Sequence, residues 1–381
     1  MTKLRIAFFI DAIRAGAGTE NQLLDLLGRL DPARYETYLY TLREPVPDTV
    51  PTRIPSRCDC LHLGRLRSFK ALKVFWRLVR ALRRERIDIA MLYFVDSQIF
   101  VPPAAFLARR TVCVVNRRDM GYWYTPRLLR VLRWVNRLVD YFLVNAAAVK
   151  KLVADKEHFP AERIKVIYNA LATRAPVEGK PLTRGDLSLP ENVPIVVLVA
   201  NLRPVKRVDR FIEMAAQVAE KRLDVRFVIL GAGELRETLA RQAVDLGLGD
   251  RVLFAGSVPD VAPYLDLFDV GVLTSESEGL SNTLIEYSYH GVPAVAFDTG
   301  GNSEVVDEGV SGFLVPEGDL AAMADKVLEL LGDAHTRKRM GQAGRARVET
   351  LFSPDQRRAD FEEFFLSVTS ARKRAARFDQ E

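Results

Sequence analysis

Short apolar runs alternating with longer amphipathic stretches constrain this chain more than any other feature. "RIAFFI" leads through "DAIRAGAGTE" into the amphipathic "NQLLDLLGRL"; "IDIAMLYF", "TVCVVN" and "YFLVN" follow as short buried strands with helical patterns between them. The second half repeats the scheme with "PIVVLVANL", "VDRFIEMAAQVAEK", "VRFVIL", "RETLARQAVDLG", "RVLFAG", "VGVLT", "NTLIEYSYHG" and "PAVAF". Apolar strands separated by helices of about 10–15 residues form parallel sheets covered on both faces, because each crossover lays its helix on the sheet. The pattern predicts an α/β chain of two doubly wound, Rossmann-like domains. Length agrees: 381 residues exceed the usual domain of about 100–200 residues.

The boundary falls in residues 169–194, "NALATRAPVEGKPLTRGDLSLPENVP", rich in Pro, Gly and Thr and weak in periodicity. The last helix, "PDQRRADFEEFFLSVTSARKR", has no strand after it and must pack on something already built. The expected organisation is an N-terminal domain over 1–170, a second domain over 171–355, and a terminal helix over 356–381 returning to the first. Hinges are expected near Ala170 and at Phe352-Ser353-Pro354.

Composition excludes several classes. Hydrophobic residues make up 48% and charged residues 27%, as in ordinary globular chains. No apolar run approaches the roughly 20 residues of a membrane span. "IAFFI" is too short for a signal-peptide core and closes at Asp11, so it reads as a first strand. Three cysteines make no disulfide framework and fit a reducing compartment, the cytosol. Cys58-Asp59-Cys60-Leu61-His62 carries zinc-ligand types, but no second pair follows at zinc-site spacing, and no metal is expected.

Charge is uneven. Residues 1–170 hold 30 Lys and Arg against 16 Asp and Glu; residues 171–381 hold 25 against 33. The first half should attract an anionic partner. "RLRSFKALKVFWRLVRALRRER", residues 65–86, carries nine cations and one acid. Leu66, Phe69, Leu72, Phe75, Val79 and Leu82 recur there at helical spacing, with Trp76 beside them. "PRLLRVLRWVNRLVDYF" sets Arg127, Arg130, Arg133 and Arg137 on one side. A solvated face above a core stripe explains both stretches. A basic surface resting on an anionic membrane explains them equally, at about 1 kcal/mol per cation. No recognition motif accompanies the charge, so nucleic acid is not an expected partner.

Ligands of open α/β sheets bind where strand ends enter loops. Asn201-Leu202-Arg203-Pro204-Val205-Lys206-Arg207 places cations just beyond a buried strand. Asp298-Thr299-Gly300-Gly301-Asn302-Ser303-Glu304 offers a Gly-Gly turn that permits close backbone approach. "TSESEGLSNTLIEYSYHG" sets Glu278 and Glu286 around Gly279-Leu280-Ser281-Asn282. Thr283-Leu284-Ile285-Glu286 fits a capping box, with Thr283 at the N-cap. Two cations, a helix N-terminus and a Gly-Gly turn on neighbouring strand ends together describe a diphosphate site. Gly231-x-Gly233 in "VILGAGELR" lacks the third glycine of a dinucleotide fingerprint, since position 236 is Arg; a tight turn accounts for it.

The run from Gly256 to Asp319, with "VANLRPVKRVDRFIEMA", "IKVIYNA" and, more loosely, "GAGTENQLLDLLGRL", resembles the retaining GT-B glycosyltransferases with the E-x7-E signature, the fourth glycosyltransferase family. The resemblance implies two Rossmann-like domains around a cleft, and sugar transfer from a UDP- or GDP-sugar to a lipid-linked or glycan acceptor. By resemblance, Glu286 grips the donor ribose and Glu278 lies beside the transferred sugar. Leu280, Ser281 and Asn282 donate to sugar and diphosphate, and Arg203 and Lys206 neutralise the leaving diphosphate. Val258 lies where the family holds the base, and Gly18 belongs to the first-domain glycine loop. No metal or cofactor is implied, and the chain contains no Asp-x-Asp. The implied chemistry retains anomeric configuration by front-face displacement.

Three positions depart from the family pattern. Asn201 stands where many members have Arg, with Arg203 as its substitute. The first-domain Gly-Gly reads Ala17-Gly18. A donor-contacting His is replaced within "VVNRRDMGYWYT", where Arg117, Arg118 or Asp119 takes its place; the four histidines are His62, His158, His290 and His335. The competing readings are a sugar-nucleotide epimerase and a non-catalytic nucleotide-binding or scaffold subunit.

Overall fold

The computed structural model describes residues 3–13, 18–44, 56–66, 68–109, 111–171 and 182–378. Ala17 and residues 172–181 of the expected linker lie outside the described residues. The chain divides into two units, Met1–Ala172 with Pro354–Glu381, and Thr173–Ser353.

The first unit runs β1 (Leu4–Ile10), α1 (Gly18–Arg29), β2 (Tyr35–Thr41), β3 (Ser56–Cys60), α2 (Phe69–Arg84), β4 (Ile89–Tyr93), α3 (Val95–Ala108), β5 (Val112–Arg117), α4 (Pro126–Val135), β6 (Tyr141–Val144), α5 (Ala147–Glu157) and β7 (Ile164–Val166). All pairings are parallel, in the order β3-β2-β1-β4-β5-β6-β7. Alternate residues of each strand face opposite sides. Ile6, Phe8 and Ile10 join Leu23, Leu26 and Leu27 of α1 in one core. On the other face α2 packs on α3, α3 on α4, and α4 on α5.

The second unit runs β8 (Ile195–Val199), α6 (Val208–Lys221), β9 (Arg226–Leu230), α7 (Arg236–Asp245), β10 (Val252–Gly256), α8 (Ala262–Leu265), β11 (Val270–Leu273), α9 (Asn282–Tyr289), β12 (Ala294–Phe297), α10 (Asn302–Val305), β13 (Gly312–Val315), α11 (Leu320–Gly332) and α12 (Ala334–Leu351). Its parallel order is β10-β9-β8-β11-β12-β13. Val196, Leu198, Phe227, Ile229, Val272 and Val295 of the sheet meet Phe211, Ile212 and Ala215 of α6 and Val327 of α11 in its core. The final helix α13 (Pro354–Phe378) belongs to the first unit. Phe361, Phe364, Phe365 and Val368 enter the core beside α1, and buried Arg357 donates to the Gln22 carbonyl at 2.6 Å.

Strands β2, β3, β7 and β13 are not among those expected from the apolar runs. β3, β7 and β13 lie at sheet edges, where one side needs no apolar cover and strands are short. Cys58 and Cys60 therefore sit on an edge strand, two residues apart on one face.

The expected stripe on α2 is also corrected. The buried residues are Ala71, Val74, Leu78, Val79 and Leu82, whereas Phe69, Leu72 and Trp76 are exposed. Ala71, Val74, Leu78 and Leu82 keep the i, i+3, i+4 spacing of a core stripe, so the small residue Ala71, not the larger Phe69 or Leu72, sets its register. Among the described residues no helix is long and apolar enough to cross a membrane.

Candidate functional site

The strand order reverses once in each sheet, between β1 and β4 and between β8 and β11. Such switch points open a crevice at the carboxyl ends of the strands, because the flanking crossovers leave in opposite directions. In the second unit the loops after β8, β11 and β12 meet there.

Their backbones are laced together. The Glu276 N–H donates to the Val205 carbonyl at 3.0 Å, and the Thr274 hydroxyl to the Lys206 carbonyl at 3.3 Å. Thr299 Oγ1 donates to the Glu276 carbonyl at 3.1 Å, and the Gly301 N–H to the Glu278 carbonyl at 3.4 Å. Gly300, at φ +55°, supplies the left-handed turn that brings the third loop back. The β8 loop is seated from beneath by Gly231 and Gly233. A Cβ on Gly231 would lie 1.9 Å from the Ala200 carbonyl oxygen, and one on Gly233 2.4 Å from that of Leu202. The Gly-x-Gly pair is thus the tight turn expected, and its close approach positions the loop that bears Arg203 and Lys206.

On this frame Lys206 Nζ meets Glu278 Oε1 at 2.7 Å. Glu278 is buried and Lys206 half-buried, so the pair is partly desolvated. Arg203 stands exposed three residues before Lys206, its carbonyl accepting the Lys206 N–H at 3.0 Å. The adjacent Arg207 is turned away, bound bidentately by Asp209 and 3.7 Å from Glu276. Leu280 and Ser281 are buried in the loop, Asn282 opens α9, and Glu286 lies half-buried one turn further on. Val258 is half-buried in the loop after the edge strand β10.

The capping box is corrected. Ser281, not Thr283, is the N-cap of α9, its Oγ accepting the Leu284 N–H at 3.3 Å. Thr283 Oγ1 instead donates to the Val199 carbonyl at 3.3 Å. The helix starts two residues early because Ser281 reaches the third N–H while Thr283 is drawn to β8. Glu286 therefore lies in the second turn, outside the cap.

Sequence reasoning missed the lacing residues Thr274 and Thr299, and Tyr287. The buried Tyr287 hydroxyl accepts the Val199 N–H at 2.8 Å and donates to the Val197 carbonyl at 3.3 Å, tying α9 to β8. A tyrosine on the core face of a polar-flanked helix was the available signal.

In the first unit Gly18 opens α1 and is exposed. Arg118 donates to Asn169 Oδ1, and the Asn145 amide donates to its carbonyl at 3.4 Å. Asp119 Oδ1 accepts the Gly121 N–H at 2.8 Å and Trp123 Nε1 at 2.9 Å, which fixes the loop after β5. Arg117 is fully buried, with Nη2 2.8 Å from Glu157 Oε1. Glu157 also accepts from Tyr124, and from Gln98 and Asn136 at 2.9 Å each. Burial pushes the Glu157 carboxyl up, but Arg117 and these donors outweigh it and hold it below the usual carboxylate range. Arg117 is committed to this pair.

Two family models cover the chain. Glycosyltransferase Family 4 matches residues 16–174, and Glycosyl transferases group 1 matches residues 180–347. The chain belongs to these glycosyltransferases. It is 28% identical over 211 residues to the N-acetyl-alpha-D-glucosaminyl L-malate synthase of Bacillus anthracis, covering 55% of each chain. It is 30% identical over 217 residues to the lipopolysaccharide core biosynthesis glycosyltransferase LpsE of Rhizobium meliloti, covering 57% of this chain and 61% of that one. The matches thus span little more than half the length of these relatives. The crystal structure of Anabaena HepE with UDP-glucose superposes with a TM-score of 0.82 at 23% identity, covering 96% of this glycosyltransferase and 100% of that chain. The fold is GT-B, two parallel-sheet Rossmann-like domains.

Proposed function

We propose that this glycosyltransferase moves a sugar from a UDP- or GDP-sugar to a lipid-linked or glycan acceptor, with retention of anomeric configuration and without a divalent metal. The observation that carries this reading is the Lys206–Glu278 contact at 2.7 Å, held at the switch point of the second sheet by three laced loops. A fixed cation beside a buried carboxylate suits a reaction that separates a sugar from a diphosphate. Negative charge grows on the leaving oxygen, and an ammonium already in place stabilises it without reorganisation.

In the proposed reaction the bond between the anomeric carbon and the diphosphate oxygen breaks, and the acceptor oxygen bonds to that carbon on the same face. The acceptor proton passes to the departing phosphate. Lys206 and Arg203 carry the diphosphate charge, a task that a divalent ion performs in other transferases. Glu278 orients Lys206 and the sugar. Leu280, Ser281 and Asn282 offer donors, Glu286 accepts from the ribose hydroxyls, and Val258 lies along the base. By the family resemblance, Gly18, Arg118 and Asp119 are the first unit's candidates for donor contact. The enzyme works in the cytoplasm, peripheral to the inner face of a membrane that presents the acceptor.

Nucleotide-sugar hydrolysis and thermal shift test the assignment together. UDP- or GDP-sugars should raise the unfolding temperature, because a ligand that binds only the native state stabilises it. Turnover of at least one of them should persist in EDTA. Glu286→Ala should weaken donor binding by about tenfold, as for the loss of a hydrogen bond to a charged group. Nucleotide binding without turnover of any sugar would favour a non-catalytic subunit instead.

A further inference from the structure

An unusual surface lies on the first unit, on the helices α2, α3 and α4 that cover one face of its sheet. Phe69, Leu72 and Trp76 of α2 are 88%, 57% and 48% exposed. Their spacing of three and four residues places them on one side of the outward face. Lys73, Arg77, Arg80 and Arg84, also exposed, follow the same spacing along its other side. The outward face of α2 is thus split lengthwise into an apolar ridge and a cationic band, and the helix carries no acid.

The same layer continues the pattern. Phe106 of α3 is 65% exposed. Trp134 of α4 is 61% exposed, between exposed Arg130, Arg133 and Arg137 on a helix that also lacks acids. Where α2 and α3 end, a pocket of about 450 Å³ is lined by Leu82, Arg83, Arg86, Ala108 and Arg109. Arg83 Nη2 donates to the Leu107 carbonyl at 2.7 Å. Three arginines and two apolar side chains line the pocket, the residue types that suit a phosphate beside an acyl chain, since a guanidinium can present paired donors to phosphate oxygens.

A solvated cationic face needs no exposed aromatics, and a protein-binding apolar patch needs no unbroken band of cations. Both together match the interface of an anionic bilayer, where Phe, Leu and Trp enter the headgroup boundary while Lys and Arg meet the phosphates. We infer that the outward face of the α2–α3–α4 layer docks on an anionic membrane, with Phe69, Leu72, Trp76, Phe106 and Trp134 inserted and the Arg83–Arg86–Arg109 pocket holding a lipid phosphate. This inference deepens the proposed function, on which it rests for the membrane-borne acceptor, and names the surface that meets it.

The test is co-sedimentation of the full chain with vesicles of pure phosphatidylcholine and of phosphatidylcholine with phosphatidylglycerol. Binding should favour the anionic vesicles by at least tenfold and weaken with salt. Replacing Phe69, Leu72 and Trp76 by Ser removes exposed side chains only, so the fold should be kept while binding falls by tenfold or more. Lys73→Ser, Arg77→Ser and Arg80→Ser should each reduce binding about fivefold. Arg86→Ser with Arg109→Asn should weaken anionic-vesicle binding and leave the binding of free inorganic phosphate undetectable in both forms; phosphate binding at the pocket without vesicle binding would overturn the membrane source. Brominated acyl chains should quench tryptophan emission less in Trp76→Phe. Equal binding to neutral vesicles, or wild-type binding by the Phe69/Leu72/Trp76 variant, would overturn the inference, as would a lipid-free dimer abolished by that variant. Donor hydrolysis in vesicle-free buffer runs in parallel: its loss in the unmodified enzyme would defeat the proposed function while leaving vesicle binding to be judged separately.

Discussion

Each unit holds a cation paired with a glutamate near the carboxyl ends of its strands, and the two pairs differ in almost everything else. In the first unit, Arg117 and Glu157 have side chains 2% and 0% exposed. Arg117 also lies 4.7 Å over the Trp123 ring and donates to Gln98. In the second, Lys206 and Glu278 are 28% and 10% exposed, and the lysine reaches its partner from a loop. A sealed pair with every lone pair met fixes structure, because neither charge can leave without stranding the other. An open pair on laced loops can exchange its partner for a ligand. The residue types are alike; on the proposed function, burial and backbone support separate a structural pair from one that meets a ligand.

The sharpest way to break this comparison is to remove one member of the sealed pair. Glu157→Ala should cost about 3–5 kcal/mol, because Arg117 is left buried and unpaired; urea unfolding measures it. The sign with pH follows from the lowered carboxyl. Its stabilisation is complete above the ordinary carboxylate range and is lost as pH falls through the folded-state value, since the unfolded chain then binds more protons. Glu157→Gln should flatten that acid limb. A cost below about 1 kcal/mol would show that the first pair is as open as the second.

The open pair predicts the reverse balance. Lys206→Ala should lower kcat by about 10²–10³, the range for removing one preorganised donor to a developing anion. Its stability cost should stay within about 1 kcal/mol, since the pair is partly solvated. Donor hydrolysis and urea unfolding on the same preparation decide it. A large loss of stability with little change in kcat would move Lys206 into the structural class.

Beneath that pair, Gly231→Ala should destabilise by about 1–3 kcal/mol, as overpacking does. The added Cβ meets the Ala200 carbonyl at 1.9 Å, and the displaced β8 loop should also bind the donor more weakly. Thermal unfolding with and without nucleotide separates the two effects. An unchanged nucleotide shift would mean that the loop tolerates the displacement.

Much of this arrangement was legible in the chain. The central strands announce themselves because they are covered on both faces and read as continuous apolar runs, as in "PIVVLVA" and "IDIAMLY". Arg203, Lys206, Glu278 and Gly300-Gly301 stand out because charge and glycine follow such runs directly. The edge strands were not legible: "SRCDC" and "IKV" bury little and carry no apolar period. The facing of α2 was misread because its largest side chains are not its buried ones. Hydrophobicity ranks Phe69 and Leu72 above Ala71, and only contact with α3 shows which side is inward. The Arg117–Glu157 pair lay 40 residues apart, and no local pattern links such positions.

The start of α9 carries the smallest effect and the finest distinction between cap and site. Ser281→Ala should cost about 1 kcal/mol, the usual loss of an N-cap oxygen, because the Leu284 N–H loses its acceptor. Thr283→Ala should leave the cap intact, since its hydroxyl serves the Val199 carbonyl. If Thr283 and Glu286 formed a capping box, Glu286→Ala would lower the unfolding midpoint as Ser281→Ala does. With the helix beginning at Asn282, that change should lower the midpoint of the ligand-free protein less than Ser281→Ala does and show its larger effect when the donor is added. Equal midpoint losses for Glu286→Ala and Ser281→Ala would return Glu286 to the helix cap and remove it from the site.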